Sequence, residues 1–440
     1  MKTLLLICLV IFCNTILSFS QTFNPAKLDS LFVILNAKNK YMGSIALTQN
    51  GTTLYTNTIG YADVATKKLS NATTKYRIGS ITKMFTAVLI FKAIEEEKIT
   101  LSTTIQKYFP TIKNANKITI SNLLNHRSGI HNFTDDEAYL TYNTKAKSKT
   151  QTLKIIADGG SDFEVNSTAA YSNSNYLLLS YLLEILYKTT YAQQVNQKIV
   201  KPLALTHTNV GGKINISNNE CNSYSFETNT WKKETETNMN IPLGAGAIIS
   251  TPNDLAKFLT CLFTHNLVAA SSLQSMKTIT EGYGLGMFKV PFYKEFGYGH
   301  TGGIDGFSSA AYYFEADKLA VAITSNGQNY SNNDILIAAL SSYYNKPYAV
   351  PTFENIIKST AALDVYLGTY SSPTFPLKIK ITKDKLDLIA QDTGQGAFTL
   401  TCTAIDNFEY QAAGIKITFV TTTNQLILNQ GGGSYTLTKE

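Results

Sequence analysis

Arginine is nearly absent from this 440-residue chain: of 38 basic residues only Arg77 and Arg127 carry a guanidinium. The formal charge of +7 is a scatter of lysines without the Arg forks that read phosphates, so no nucleic-acid partner is expected. Histidine is scarce as well. Apart from His300, the histidines His126, His131, His207 and His265 fall in no ligand spacing, and neither a metal nor another cofactor is expected. Cysteine is sparse too. Cys8 and Cys13 lie in the N-terminal apolar stretch, and Cys221, Cys261 and Cys402 allow at most one disulfide, so cysteine does not hold the fold together. Nor is there a run long enough to cross a membrane, which needs about 20 apolar residues. The run from Leu4 to Phe12 is shorter, follows Lys2 and precedes the small residues Ser18 and Ser20. It reads as a signal peptide over residues 1–20, cleaved before Gln21, which points to a secreted or periplasmic protein.

What is present is ample core material, with 44% apolar and 11% aromatic residues. The length calls for a large domain plus a smaller one. Met42 to Leu47 and Thr52 to Asn57 form a hairpin about Asn50-Gly51. Ile81 to Glu97 has the period of a helix with Met84, Phe85, Val88, Leu89 and Ala93 inward. Tyr176 to Tyr187 is apolar nearly all round, which predicts a helix buried between other elements. Ser250-Thr251-Pro252 with Asp254 announces a third helix. Phe307 to Phe314 and Leu319 to Ser325 form a second hairpin. After about Pro351 the pattern turns to strict alternation, as in Leu377, Ile379, Ile381 and in Ile415, Ile417, Phe419. Turns at Lys383-Asp384, Asn424 and Gly431-Gly432-Gly433 space an all-β appendage, a small antiparallel barrel or sandwich.

Three short stretches carry chemistry. Ser80-Ile81-Thr82-Lys83 sets a hydroxyl and an amine on one face of a helix start, where a partly buried lysine of lowered pKa can take the serine proton. Tyr171-Ser172-Asn173 precedes the buried helix. Tyr55, Tyr330 and Tyr343 also stand two residues before an asparagine, but only Tyr171 sits where a phenol could face Ser80 and pass a proton to a leaving group. Asn173 could then hydrogen-bond a substrate amide and the lysine. Gly299-His300-Thr301-Gly302-Gly303 lets a substrate lie against a strand, with the amides of Ser80 and Gly303 as the two oxyanion donors and His300 as a donor in the cleft. Asp135-Asp136-Glu137 reads as a solvated acidic turn.

In this order the motifs resemble the serine β-lactamase and penicillin-binding protein superfamily, nearest its class C-like branch with D-alanyl-D-alanine carboxypeptidases, D-aminopeptidases and esterases. The resemblance runs roughly from residue 25 to residue 345 and takes in Tyr76-Arg77-Ile78-Gly79, the stretch Leu123 to Gly129 and Tyr283-Gly284-Leu285-Gly286. It implies a mixed α/β (α+β) domain over residues 21–348, an antiparallel sheet flanked by helices with a helical subdomain. Residues 349–440 resemble the lipocalin-like β modules that follow such domains. It further implies Ser80 as nucleophile, Lys83 as its base and Tyr171 as acid–base partner. Asn173, His300, Thr301 and Gly302 would bind substrate.

The expected activity is acyl-enzyme hydrolysis of peptides, amides or esters, with D-alanyl-D-alanine-type and peptidoglycan-derived peptides foremost. A class C-like β-lactamase, a small-acyl esterase and a catalytically silent cell-wall or peptide binding protein are the alternatives. Two departures bear on the choice. Val165-Asn166 replaces the Pro-Gly of many relatives, and His300 stands where a lysine would meet a β-lactam carboxylate.

Overall fold

The computed structural model describes residues 23–227, 229–353, 359–373, 375–392, 397–410, 414–430 and 433–440. The signal-peptide reading of residues 1–20 and the first two glycines of the Gly431–Gly433 turn lie outside these.

The two expected hairpins form and are neighbours in one antiparallel sheet. Its order is Phe288–Phe292, Glu295–Ile304, Phe307–Phe314, Leu319–Gln328, Tyr41–Gln49 and Thr52–Ile59, with the hairpin Tyr224–Glu227 and Thr230–Lys233 joined beside Gly327. The central strand Leu319–Gln328 is buried along nearly its whole length, as a strand covered on both faces must be. One face carries the helices Ala26–Ala37 and Asn332–Tyr343, packed on Ile45, Leu47, Val321 and Ile323. The other face carries Pro252–Phe263 and, beyond it, a helical region built round Thr82–Glu95 and Asn173–Tyr187. Phe85 stacks flat on Phe258, 3.9 Å between ring centres, and so ties the Ser80 helix to the sheet-covering helix.

The helix limits refine the expectations. The Ser80 helix opens with a tight turn, Gly79–Ile81, and runs from Thr82 to Glu95. The second helix begins at Asn173 and not at Tyr176, so the asparagine lies inside its first turn. The third is capped as the sequence implies: Thr251 accepts a bond from the Asp254 amide at 3.2 Å, with Pro252 in the first turn.

Strands from Gly368 to Lys439 close an eight-stranded antiparallel barrel, which decides between the barrel and sandwich readings. Ile379, Ile381, Ile415, Ile417 and Phe419 point into its core as the alternation requires. The turn expected at Lys383-Asp384 falls at Lys385-Leu386, two residues later, because the strand Phe375–Asp384 pairs through Asp384 with Asp387. Cys221, Cys261 and Cys402 are all free thiols.

Candidate active site

Ser80 sits where a strand turns into a helix, and glycine makes the approach possible. Gly79 has φ +49°, and a Cβ there would come within 2.7 Å of the Gly303 amide nitrogen. A Cβ on Gly302 would lie 2.0 Å from the Ile78 carbonyl oxygen. The serine turn and the His300–Gly303 strand therefore touch backbone to backbone, and Ser80 and Gly303 line one cavity.

Every residue from Thr82 to Phe91 is buried, so Lys83 is carried into the interior by the helix that bears it. Its Nζ lies 2.9 Å from Ser80 Oγ, 2.8 Å from Asn173 Oδ1 and 2.8 Å from the Ala245 carbonyl. Among the described residues no carboxylate touches it, and burial pulls the ammonium well below the ordinary lysine range. Tyr171 donates its phenol proton to Ser80 Oγ at 2.7 Å, and burial pushes that phenol above the usual tyrosine range. One group poised to take a proton and one poised to keep it thus flank the same oxygen.

Asn173 Oδ1 accepts from Lys83 and its Nδ2 donates to Thr134 Oγ1 at 3.0 Å, which fixes the orientation of the amide. The cavity, about 370 Å³, is lined by Ser80, Asn173 and Gly303, by Phe133, Tyr139 and Leu140, and by Glu234 and Asp305. Thr301 is exposed and Gly302 half-buried in the strand that leads to Gly303, and neither lines the cavity.

His300 differs from expectation. It is 3% exposed, packed against Phe288 at 4.5 Å and Tyr171 at 6.3 Å between ring centres. Burial, reinforced by the nearby Lys83, pulls the imidazole down to about 3, so it is neutral. Its Nδ1 lies 2.5 Å from the Thr301 carbonyl, which can only accept, so Nδ1 carries the proton. The remaining nitrogen is therefore an acceptor and not the donor expected in the cleft.

Sequence reasoning missed His126, although the stretch Leu123 to Gly129 contains it. Its ring lies 4.5 Å from that of Tyr171 and 5.2 Å from that of Tyr283, and its Nδ1 accepts from the Ser172 amide at 3.1 Å. A left-handed backbone, φ +59°, aims it there. The acidic turn is also more than solvated: Asp136 bonds His131 Nε2 at 3.1 Å and Asp135 accepts from Asn132 at 2.7 Å, while Glu137 is exposed. Asn166 explains how the Pro-Gly departure is tolerated. It takes φ +68°, a conformation asparagine adopts more readily than most residues, and its side chain and carbonyl both accept from Arg127, which pairs with Glu281 at 2.6 Å.

An exposed-cavity serine held between a buried amine and a phenol, at a helix start under the edge of an antiparallel sheet, defines an active-serine hydrolase. The chain belongs to the Beta-lactamase family, whose family model matches residues 36–341. It is 25% identical over 345 residues to the teichoic acid D-alanine hydrolase of Staphylococcus aureus, covering 74% of this chain and 83% of that protein. A solved D-stereospecific amidohydrolase from Streptomyces sp. superposes with a TM-score of 0.62 at 26% identity, over 72% of this chain and 98% of that one. An octameric penicillin-binding protein homologue from Pyrococcus abyssi shares the fold over 93% of this chain and 99% of its own, with a TM-score of 0.67 at 22% identity.

Proposed function

We propose that the protein is exported, by the leader over residues 1–20, and hydrolyses D-aminoacyl esters, amides or peptides through an acyl-enzyme on Ser80. Peptidoglycan-derived peptides belong to this class. The observation that carries the reading is the Ser80 oxygen held 2.9 Å from Lys83 Nζ and 2.7 Å from the Tyr171 oxygen.

Lys83, its pKa lowered by burial, takes the Ser80 proton as Oγ attacks the substrate carbonyl. The oxyanion faces the Ser80 and Gly303 amides. As the carbon–leaving-group bond breaks, Tyr171 gives its proton to the departing amine or alcohol and regains one from Lys83, leaving an ester on Ser80. Water then attacks that ester, the same groups relaying its proton, and the free acid leaves. Asn173, braced by Thr134, positions Lys83 and the substrate. His300, buried in the strand that leads to Gly303, brings no positive charge to the site, which speaks against a β-lactamase that must hold a carboxylate. The D-configured substrates named for the Streptomyces and Staphylococcus proteins support the stereochemical assignment.

The test is covalent labelling. A fluorophosphonate should add to the peptide containing Ser80, and Ser80→Ala should abolish both labelling and turnover of D-alanine amide while the protein stays folded. An adduct elsewhere overturns the assignment, and hydrolysis of L- but not D-aminoacyl amides overturns the substrate class.

A further inference from the structure

Charge around the cavity is one-sided, and most of it is already spent. Glu234, Glu236 and Asp305 gather where the segment after the strand Thr230–Lys233 meets the turn at Asp305. Arg77 takes two of them, Glu236 at 2.6 Å and Asp305 at 2.8 Å. The other Asp305 oxygen accepts from the Thr237 amide at 3.1 Å and hydroxyl at 2.6 Å. With its side chain 1% exposed, Arg77 is sealed beneath this cluster and cannot meet a ligand.

Glu234 is different. It is half-buried, lines the same cavity as Ser80, and among the described residues no cation or donor pairs with its carboxylate. Its position is set by its amide, which bonds the Ser223 carbonyl at 2.9 Å. It is set as well by Gly306, where a Cβ would come within 3.0 Å of Glu234 Cγ. The remaining lining includes the apolar Phe133, Leu140, Pro242 and Ile304, and among the described residues no lysine or arginine. Of the bases nearby, Lys83 is directed at Ser80, Asn173 and the Ala245 carbonyl and is pulled well below the ordinary lysine range by burial, and His300 is pulled down to about 3. A cavity with one free carboxylate and no compensating cation is complementary to a cationic ligand and repels an anionic one.

We propose that Glu234 is a specificity residue that receives the protonated amino group of the substrate, so that the site selects aminoacyl esters and amides with a free ammonium over their N-acylated or carboxylate-bearing counterparts. This rests on the acyl-enzyme reading above and adds to it the charge of the substrate.

The experiment compares D-alanine p-nitroanilide with N-acetyl-D-alanine p-nitroanilide on the full chain. Wild type should favour the free amine in kcat/KM by roughly 10- to 100-fold, the range of one charge-assisted bond. Glu234→Gln should bring the ratio near one, chiefly through KM, and Glu234→Asp should retain part of it. The wild-type ratio should also fall as pH rises past about 8, where an α-ammonium loses its proton. That readout needs no variant and serves if Glu234→Gln fails to fold. A wild-type ratio at or below one, a ratio unmoved in folded Glu234→Gln, or a ratio flat with pH overturns the proposal. If fluorophosphonate still labels Ser80 in that event, the acyl-enzyme reading stands alone. If it does not, both fall together.

Discussion

Tyr171 gives its phenol proton to Ser80 Oγ at 2.7 Å and leans its ring on His126, 4.5 Å between centres. His126 accepts in turn from the Ser172 amide, so the residue after the tyrosine is anchored to the ring that supports it. Tyr171→Phe keeps the ring and removes only the proton, and kcat should fall by about two to four powers of ten with the melting temperature little changed. Tyr55, Tyr330 and Tyr343 all pack with the core cluster on the opposite, terminal-helix face of the sheet. Tyr55 bonds Asp29, Tyr343 meets Gln49, and Tyr330 lies against Phe353. The same change at any of the three should leave steady-state rates as they are, and an equal loss at Tyr330 would show that the wrong tyrosine was chosen.

Lys83 should make the acid limb of the pH profile. Burial holds its folded-state pKa well below the ordinary lysine value, so the neutral amine that the proposed chemistry needs forms at lower pH than in a free lysine and is lost as pH falls through that lowered value. His300, neutral down to about 3, adds no limb between pH 5 and 8, and His126 is held well below its usual range by burial. The profile of kcat/KM for a neutral ester should therefore show one acidic inflection. Lys83→Arg, whose guanidinium stays charged, should remain inactive up to pH 10. Recovery of the arginine variant at high pH would assign the limb to another group.

The sequence made legible those parts of the molecule that repeat or alternate. The burial of Met84, Phe85, Val88, Leu89 and Ala93, the two hairpins and the alternation of Ile415, Ile417 and Phe419 follow from the sequence pattern, although Thr82–Phe91 is buried all round and not on one face only. Ser80, Lys83 and Tyr171 could be picked out because their order and their neighbouring helices narrowed the choice. The Ala245 carbonyl on Lys83, Thr134 on Asn173, the His126 ring and the free Glu234 could not. Each comes from a loop with no period of its own, brought to the site by contacts across 39 to 162 residues where these are direct bonds. The direction of His300 was hidden for a related reason, since its tautomer depends on one carbonyl of its own strand.

The barrel should be dispensable for the chemistry. Phe353, just before it, packs on Tyr330 at 5.7 Å between ring centres, and the charges of Lys416 and Glu409 reach Asp334 and Tyr330. These contacts lie toward the Asn332–Tyr343 helix, on the sheet face away from Ser80. A chain ending near Pro351 should keep measurable turnover of small esters, with some loss of solubility or stability. A truncated protein that is folded by circular dichroism yet wholly inactive would show that the barrel completes the site.

His131 gives the segment beside the site a pH-dependent brace. Its Nδ1 lies 2.9 Å from Asp162 and its Nε2 3.1 Å from Asp136, and the hydrogen bond to Asp162, opposed in part by burial, raises its pKa above the usual 6.5. Its carbonyl accepts from Ser174 at 2.6 Å, and the next side chain, Asn132, accepts from the Asn173 amide at 2.9 Å. For a histidine whose folded pKa is raised, the stabilisation is complete below the unfolded value and is lost as pH rises through the folded one. Asp162 is 52% exposed, so solvent screening holds the gain to about 1 kcal/mol or less. His131→Gln should therefore lower the melting temperature most between about pH 5 and 6.5, with the gap to wild type closing as pH rises beyond that window. Thermal melts of both proteins from pH 5 to 9 provide the check: a gap that widens with pH would mean that the two carboxylates do not hold His131 in its charged form.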